Sequence, residues 1–306
     1  WSAFWIADGR PFWAALGPAA IPLGFALVLA AEFALLYFLQ RPGPAPCPSI
    51  RQLAAAWWAE ALTAPRVFLW QQPFRSTVEA DHLPASGSCG PGVVLVHGFF
   101  CNRGLWNPWM RRLRARGIPF VAVNLEPVFG SIDRYVQTIE HAVARVEVTT
   151  GMPVVLVGHS MGGLAIRAWL ARFAADARVR RVLTIGSPHQ GTWLARFGRT
   201  VNGRQMRLHS RWLAGLARRE SSARRAKFTC YFGHCDNIVF PAAAGTLPGA
   251  ENVHVPGTAH VQMAFHHAVF DGALRCLRDV DPDSVGIGMP VVDADSRRDQ
   301  APRGSA

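Results

Sequence analysis

Two kinds of hydrophobic segment alternate along most of this chain. Short apolar runs fall at 93–96, 119–123, 153–157, 179–185, 228–232 and 251–255. Longer stretches that read as helices lie at about 105–116, 132–148, 162–174 and 261–277. Strands alternating with helices predict an α/β fold, a mostly parallel sheet with helices on both faces. Strands this apolar suit a sheet covered on both sides.

The segments outside this alternation set the domain organisation. Between Arg10 and Arg41 there is one charge, Glu32, in a span longer than the roughly 20 residues needed to cross a bilayer. Residues 1–40 are therefore expected to form a membrane anchor, with Pro18 and Pro22 marking the start of its helix or a kink. An acid at mid-span costs about 2.5–3.5 kcal/mol on insertion scales, which the other apolar residues offset. A signal peptide fits less well, because no A-x-A site follows; a buried helix packed on the domain is the other alternative. Trp1, Phe4, Trp5 and Ile6 suggest the remains of an earlier apolar segment.

Residues 41–91 open with a stiff Pro-rich linker and continue in an accessory helix at about 50–63, carrying Trp57 and Trp58, that packs on the domain or lies on lipid. Residues 92–278 hold the α/β domain, and 279–306 read as a polar mobile tail. Within the domain, 192–227 interrupts the alternation with nine arginines and Lys227 against Glu220 alone. An amphipathic, basic insertion of this kind suits an anionic lipid surface, with a solvated helical face or contact with an acidic protein partner as the alternatives.

The chemistry is concentrated at Gly158-His159-Ser160-Met161-Gly162. A buried strand precedes this G-x-S-x-G pentapeptide and a helix follows it, the context of a nucleophile elbow. Gly158 and Gly162 let the chain turn sharply, so that the Ser160 hydroxyl projects from the end of the sheet. A serine hydroxyl needs a base, and the base an orienting acid; in this setting the chain order is Ser, acid, His. His260, in the loop after the last strand, is the expected base among eleven histidines, with His254 on the strand and His266 and His267 on the helix. Asp236, just past strand 228–232, is the expected acid; Glu251 is a rival, and so is Glu220, for which a surface ion pair is the simpler account. An Asx-type turn is the alternative role for Asp236. The backbone N–H groups of Phe99 and Met161 are expected to form the oxyanion hole, with Gly98 turning the backbone toward the site. Phe99, Phe100, Trp106 and Trp109 are candidates to line an apolar acyl pocket, with core packing as the alternative, and His189 suits a structural role in its loop.

Together, Val96-His97-Gly98-Phe99, the pentapeptide with Gly163, and Gly186-Ser187-Pro188-His189-Gln190-Gly191-Thr192 resemble the α/β-hydrolase superfamily, and within it bacterial lipases, esterases and lipase-like deacylases. The resemblance covers residues 90–278 and implies the α/β-hydrolase fold with 192–227 as a helical cap and His189 in a segment that lines the acyl pocket. It also implies a serine hydrolase acting on carboxylic esters, with lipid acyl esters as the expected substrate. Acyl transfer and thioester hydrolysis use the same triad, and a membrane-tethered protein without chemistry is the non-enzymatic alternative.

Composition adds the setting. The formal charge is +12, carried almost wholly by arginine, which suits an anionic membrane surface. No aromatic-basic motif points to nucleic acid. The six cysteines contain no C-x-x-C pair, so neither a zinc site nor a cofactor is expected; Cys230 and Cys235 are either bridged or free thiols. A bacterial inner membrane is the expected location, and the charges flanking the apolar span do not assign a side.

Overall fold

The computed structural model describes residues 11–85 and 90–278. The expected segment before Pro11 and the tail after Arg278 lie outside the described residues.

Six strands, β1 (Val93–Val96), β2 (Phe120–Ala122), β3 (Val154–His159), β4 (Val179–Ile185), β5 (Phe228–Phe232) and β6 (Glu251–His254), form one sheet in the order β2-β1-β3-β4-β5-β6. Every neighbouring pair is parallel. Successive side chains leave opposite faces of a strand, and both faces are covered. Val94, Val96, Val154 and Leu156 pack beneath Ile139, Val143, Leu164 and Ile166. Val93, Leu95, Val155 and Val157 pack against Met110, Leu113, Phe270 and Ala273. This is why the central strands are apolar without alternation.

Six longer helices surround the sheet: α1 (Pro11–Leu39), α2 (Ile50–Pro65), α3 (Asn107–Arg114), α4 (Val136–Thr150), α5 (Met161–Phe173) and α6 (His267–Arg278). The helices α3 and α4 each begin with a tighter 3₁₀ turn set by a side-chain cap. The Asn102 carboxamide accepts the Gly104 N–H, and the Ser131 hydroxyl accepts the Asp133 N–H. The helix expected at 261–277 is divided into a one-turn helix, His260–Met263, and α6. The Trp109 indole donates to the Ala264 carbonyl at 2.7 Å, occupying an acceptor that a continuous helix would use. The accessory helix also differs from expectation. It runs on beyond Pro65 through a wide π-type stretch, Arg66–Gln71, to Arg75.

The apolar N-terminal helix begins ahead of both Pro18 and Pro22, and its stretch Pro22–Leu39 is long and apolar enough to cross a membrane. It is not free of the domain. Leu29, Phe33 and Leu36 are buried along one stripe, and Phe33 and Leu36 join Leu53 and Ala56 of α2 with Cys235, Phe240 and Ala259. The Trp57 indole donates to the Ala26 carbonyl at 3.4 Å. Leu23, Leu27, Val28 and Phe38, on the other side, remain exposed. The helix thus has a docked face and an apolar outer face.

Between β4 and β5 the chain forms a 3₁₀ turn, Trp193–Phe197, and three short helices, Val201–Gln205, Arg211–Ala217 and Ser222–Arg225. Each short helix starts at a Thr or Ser whose hydroxyl caps it: Thr200, Ser210 and Ser221. Ala195, Met206 and Leu213 extend the core on the α5 side. Part of the basic charge of this cap staples it to the domain. Arg224 pairs with Asp176 at 2.6 Å, and Lys227 donates to the Val179 carbonyl at 2.7 Å. Glu220 departs most from expectation. Rather than making a surface ion pair, its carboxylate is buried and takes two hydrogen bonds, 2.7 and 2.8 Å, from the buried Arg167 guanidinium of α5.

Candidate active site

The site is assembled at the carboxyl ends of the central strands, where open α/β sheets bind their ligands. Ser160 joins β3 to α5 at φ 53°, ψ −126°, a backbone conformation that side chains other than glycine rarely adopt. The surroundings hold it there. The Ser160 N–H donates to the Ile185 carbonyl at 2.8 Å, and its carbonyl accepts from Gly163 at 3.1 Å. The glycines are required by contact. A Cβ on Gly162 would lie 2.3 Å from the Val96 carbonyl oxygen, and one on Gly158 would lie 2.7 Å from the Gly163 nitrogen. On Gly98, a Cβ would meet the Ser160 Cβ at 2.8 Å.

His260 is the first residue of its one-turn helix rather than a loop residue, and it is buried. Its Nδ1 lies 3.0 Å from both carboxylate oxygens of Asp236. Asp236 also closes a turn. While facing His260, its Oδ1 accepts the N–H groups of Ile238 at 2.9 Å and Val239 at 2.7 Å, closing the turn after β5. Burial opposes protonation of His260, but the charge of Asp236 and its hydrogen bond outweigh burial and raise the imidazole above its usual range. The rivals are engaged elsewhere, Glu220 with Arg167 and Glu251 with the Thr229 hydroxyl at 2.8 Å.

Two further histidines brace the site. His97 donates from Nδ1 to the Gly98 carbonyl at 2.9 Å and accepts the Leu125 N–H on Nε2 at 3.0 Å, which fixes the loop carrying Phe99. Burial lowers its pKa to about 4, so it stays neutral. His159 packs its ring 4.8 Å from that of His260 and donates to the His260 carbonyl at 3.2 Å. Burial, with the neighbouring His260 charge, lowers it to about 3.

An apolar cavity of about 370 Å³ opens over Ser160. Phe99, Phe100 and Phe129 meet edge to face on one side, and Leu194, Met206 and Val239 line it as well. Phe100 is part of this lining, whereas Trp106 and His189 are not. Trp106 is fully buried against Trp109, in the layer with α3 and α6. His189 is buried beneath its loop, next to the Thr184 hydroxyl at 2.8 Å, and Arg167 donates to its carbonyl at 2.9 Å. Cys230 and Cys235 are buried free thiols.

Besides Leu194, Met206 and Val239, five residues at the site were not singled out for it from sequence. Phe129 lies on a loop without a motif. Gly186, at φ 54°, leaves room for the Asp236–His260 pair: a Cβ there would lie 2.9 Å from Asp236 Oδ2 and 3.0 Å from His260 Nδ1. Its only signal was its place at the head of Gly186-Ser187-Pro188. Asn237 accepts the His260 N–H at 3.2 Å. Glu32 and Glu60 reach this region from α1 and α2. Glu60 falls on the inward stripe Leu53, Ala56, Glu60, Ala64, where a carboxylate is out of pattern. Among the described residues, no group of three or more His, Cys, Asp or Glu side chains could hold a metal.

Residues 93–285 match the alpha/beta hydrolase family, and the chain belongs to it. Among solved structures it is similar to the mature lipase BlEst2 of Bacillus licheniformis, with a TM-score of 0.54 and 17% identity over 64% of this chain and 94% of that one. Lipase B of Aspergillus fumigatus gives a TM-score of 0.53 and 19% identity over 62% of this chain and 54% of that one, so the chain spans about half of that enzyme's length. The phospholipase PlaB of Legionella pneumophila gives 0.52 and 16% over 64% and 61%. At these identities the likeness concerns the fold. A search of curated proteins returned no match.

Proposed function

We propose that this hydrolase cleaves carboxylic esters, and lipid acyl esters in particular, through an acyl-enzyme. The observation that carries the reading is one juxtaposition. His260 is paired with the fixed carboxylate of Asp236, and the strained Ser160 borders an apolar cavity beside them. In this reading Ser160 Oγ attacks the acyl carbonyl as His260 takes its proton. Asp236 holds the imidazole and stabilises its charged form. The N–H of Met161, at the start of α5 where the first turn has no intrahelical acceptors, and the N–H of Phe99 stabilise the oxyanion. His260 then returns the proton to the leaving alcohol, and water releases the acyl group by the reverse path.

The cavity supports an acyl chain over a polar substrate, because its walls are mostly apolar, with Phe99, Phe100, Phe129, Leu194, Met206 and Val239 among them, against Thr192, Thr200 and Arg199 as the polar members besides Ser160. The outer face of α1, with Leu23, Leu27, Val28 and Phe38 exposed, supports attachment to a bilayer. The docked stripe of the same helix would hold the hydrolase domain close to that surface.

The test is hydrolysis of p-nitrophenyl esters from acetate to palmitate, with and without lipid vesicles, alongside Ser160→Ala. The expected result is serine-dependent turnover that rises with chain length. Full turnover by folded Ser160→Ala would overturn the assignment.

A further inference from the structure

The base of the proposed triad is held from the start of the chain. The first turn of a helix presents N–H groups with no partner within the helix, and His260–Met263 is such a turn. The His260 N–H donates to Asn237 Oδ1 at 3.2 Å, and the Asn237 amide donates in turn to Glu32 Oε2 of α1 at 2.6 Å. The next two N–H groups, of Val261 and Gln262, donate to the two carboxylate oxygens of Glu60 in α2, at 2.8 and 2.9 Å. Three successive N–H groups at the base are thus oriented, directly or through one amide, by two carboxylates more than 200 residues away.

Neither carboxylate is explained by docking. The surrounding contact is apolar, with Phe33, Leu36, Leu53 and Ala56 among its members. Placing a carboxylate in such a contact costs several kcal/mol unless its partners compensate. An apolar residue at either position would dock the helices more simply. An acid within an apolar helix is by default a functional feature.

On the reading that His260 is the catalytic base, we infer that Glu32 and Glu60 are positioning residues for it, and that docking of α1 and α2 completes the active site. The charged and titratable groups around His260 are then Asp236 from the turn after β5, His159 from β3, Glu60 from α2 and Glu32 from α1. In its ionised form each glutamate favours the protonated imidazole. The apolar helix is therefore an anchor and a part of the catalytic apparatus at once.

The experiment follows p-nitrophenyl butyrate hydrolysis by the full chain in detergent micelles, from about pH 5 to 9. Glu32→Ala is expected to lose about 10- to 100-fold in kcat with little change in KM, the effect of a small misplacement of a reacting group. Glu32→Gln keeps an oxygen for Asn237 and removes the charge. It should retain most of kcat. Leu27→Ala, on the exposed face of the same helix, should match the parent in kcat and KM. A folded Glu32→Ala with the parent's kcat would overturn the inference. If Glu32→Ala does not fold, the parent's kcat in a folded Glu32→Leu, which suits the apolar contact and removes the acceptor of Asn237, would overturn it instead. Ser160→Ala in the same series separates the two readings. Turnover surviving there removes the functional assignment itself, whereas its loss beside an unaffected Glu32→Ala removes only the role of α1.

Discussion

The nucleophile half and the base half of the candidate site are built by different means. Ser160 is set by its immediate neighbours in the chain: β3 delivers it, α5 carries it away, and Gly158, Gly162 and Gly163 allow the close approach between them. The base half is a long-range assembly. Asp236 is fixed by its own turn, but His260 depends on Asn237, and Val261 and Gln262 depend on Glu60. A locally built element tolerates changes elsewhere and fails only when its own residues change. A long-range element responds to distant changes, by degrees.

The sharpest test of the nucleophile half is Ser160→Ala. Removing the nucleophile of a triad costs on the order of 10⁶-fold in kcat, with the fold intact. The corresponding break in the base half is Gly186→Ala. The new methyl would sit about 3 Å from both Asp236 and His260, at a positive φ that alanine adopts only under strain. The expected loss in kcat is on the order of 100-fold, the scale of a misplaced catalytic group, together with about 1–3 kcal/mol of stability. A Gly186→Ala protein with parental kcat would show that the acid and base have slack, and would blunt the contrast between the halves.

Glu220→Ala probes the scaffold that both halves share. It leaves the Arg167 guanidinium buried without its carboxylate, between α5 and the cap. Breaking such a pair typically costs about 3–5 kcal/mol. Thermal unfolding should therefore show a large drop in Tm, while the protein that remains folded keeps its pH profile. A small drop in Tm would mean that His189 and water take over the guanidinium.

What could be read from the sequence follows the same division. The strand positions and the elbow were legible, because a buried parallel sheet requires apolar runs and a sharp turn requires glycine. Ser160, Asp236 and His260 could be selected by chain order, and the structure brings Asp236 and His260 together beside the cavity that Ser160 lines. His189 takes the structural role weighed for it, and Trp106 is core, the alternative for an aromatic there, because a buried aromatic and a pocket aromatic have the same local signature. Glu220 looked like a surface residue because its partner, Arg167, sits in a different element of the fold. Glu32 stood out as the only charge in an apolar span, but its partner lies 205 residues away. Local pattern carries no information about contacts of that range.

The smallest expected effect is also the most specific to the base half. In the proposed role of general base, His260 must be neutral to accept the serine proton. The kcat/KM profile reports its ionisation in the free enzyme. Burial alone would move an imidazole below about 6.5, but here the Asp236 charge and hydrogen bond, with Glu60 and Glu32 behind them, raise it. Activity should therefore fall on acidification with a midpoint above pH 6.5. The stability linkage has the opposite sense. A histidine whose folded pKa is raised contributes stability that is fully present below its unfolded pKa and is lost as pH rises through the folded value. The pH range in which the base becomes competent is thus the range in which its protonation ceases to stabilise the fold. Measuring kcat/KM and Tm across the same pH series checks both signs in one preparation. A midpoint below pH 6.5 would mean that burial outweighs the carboxylates, and that the base half is held by packing rather than by charge.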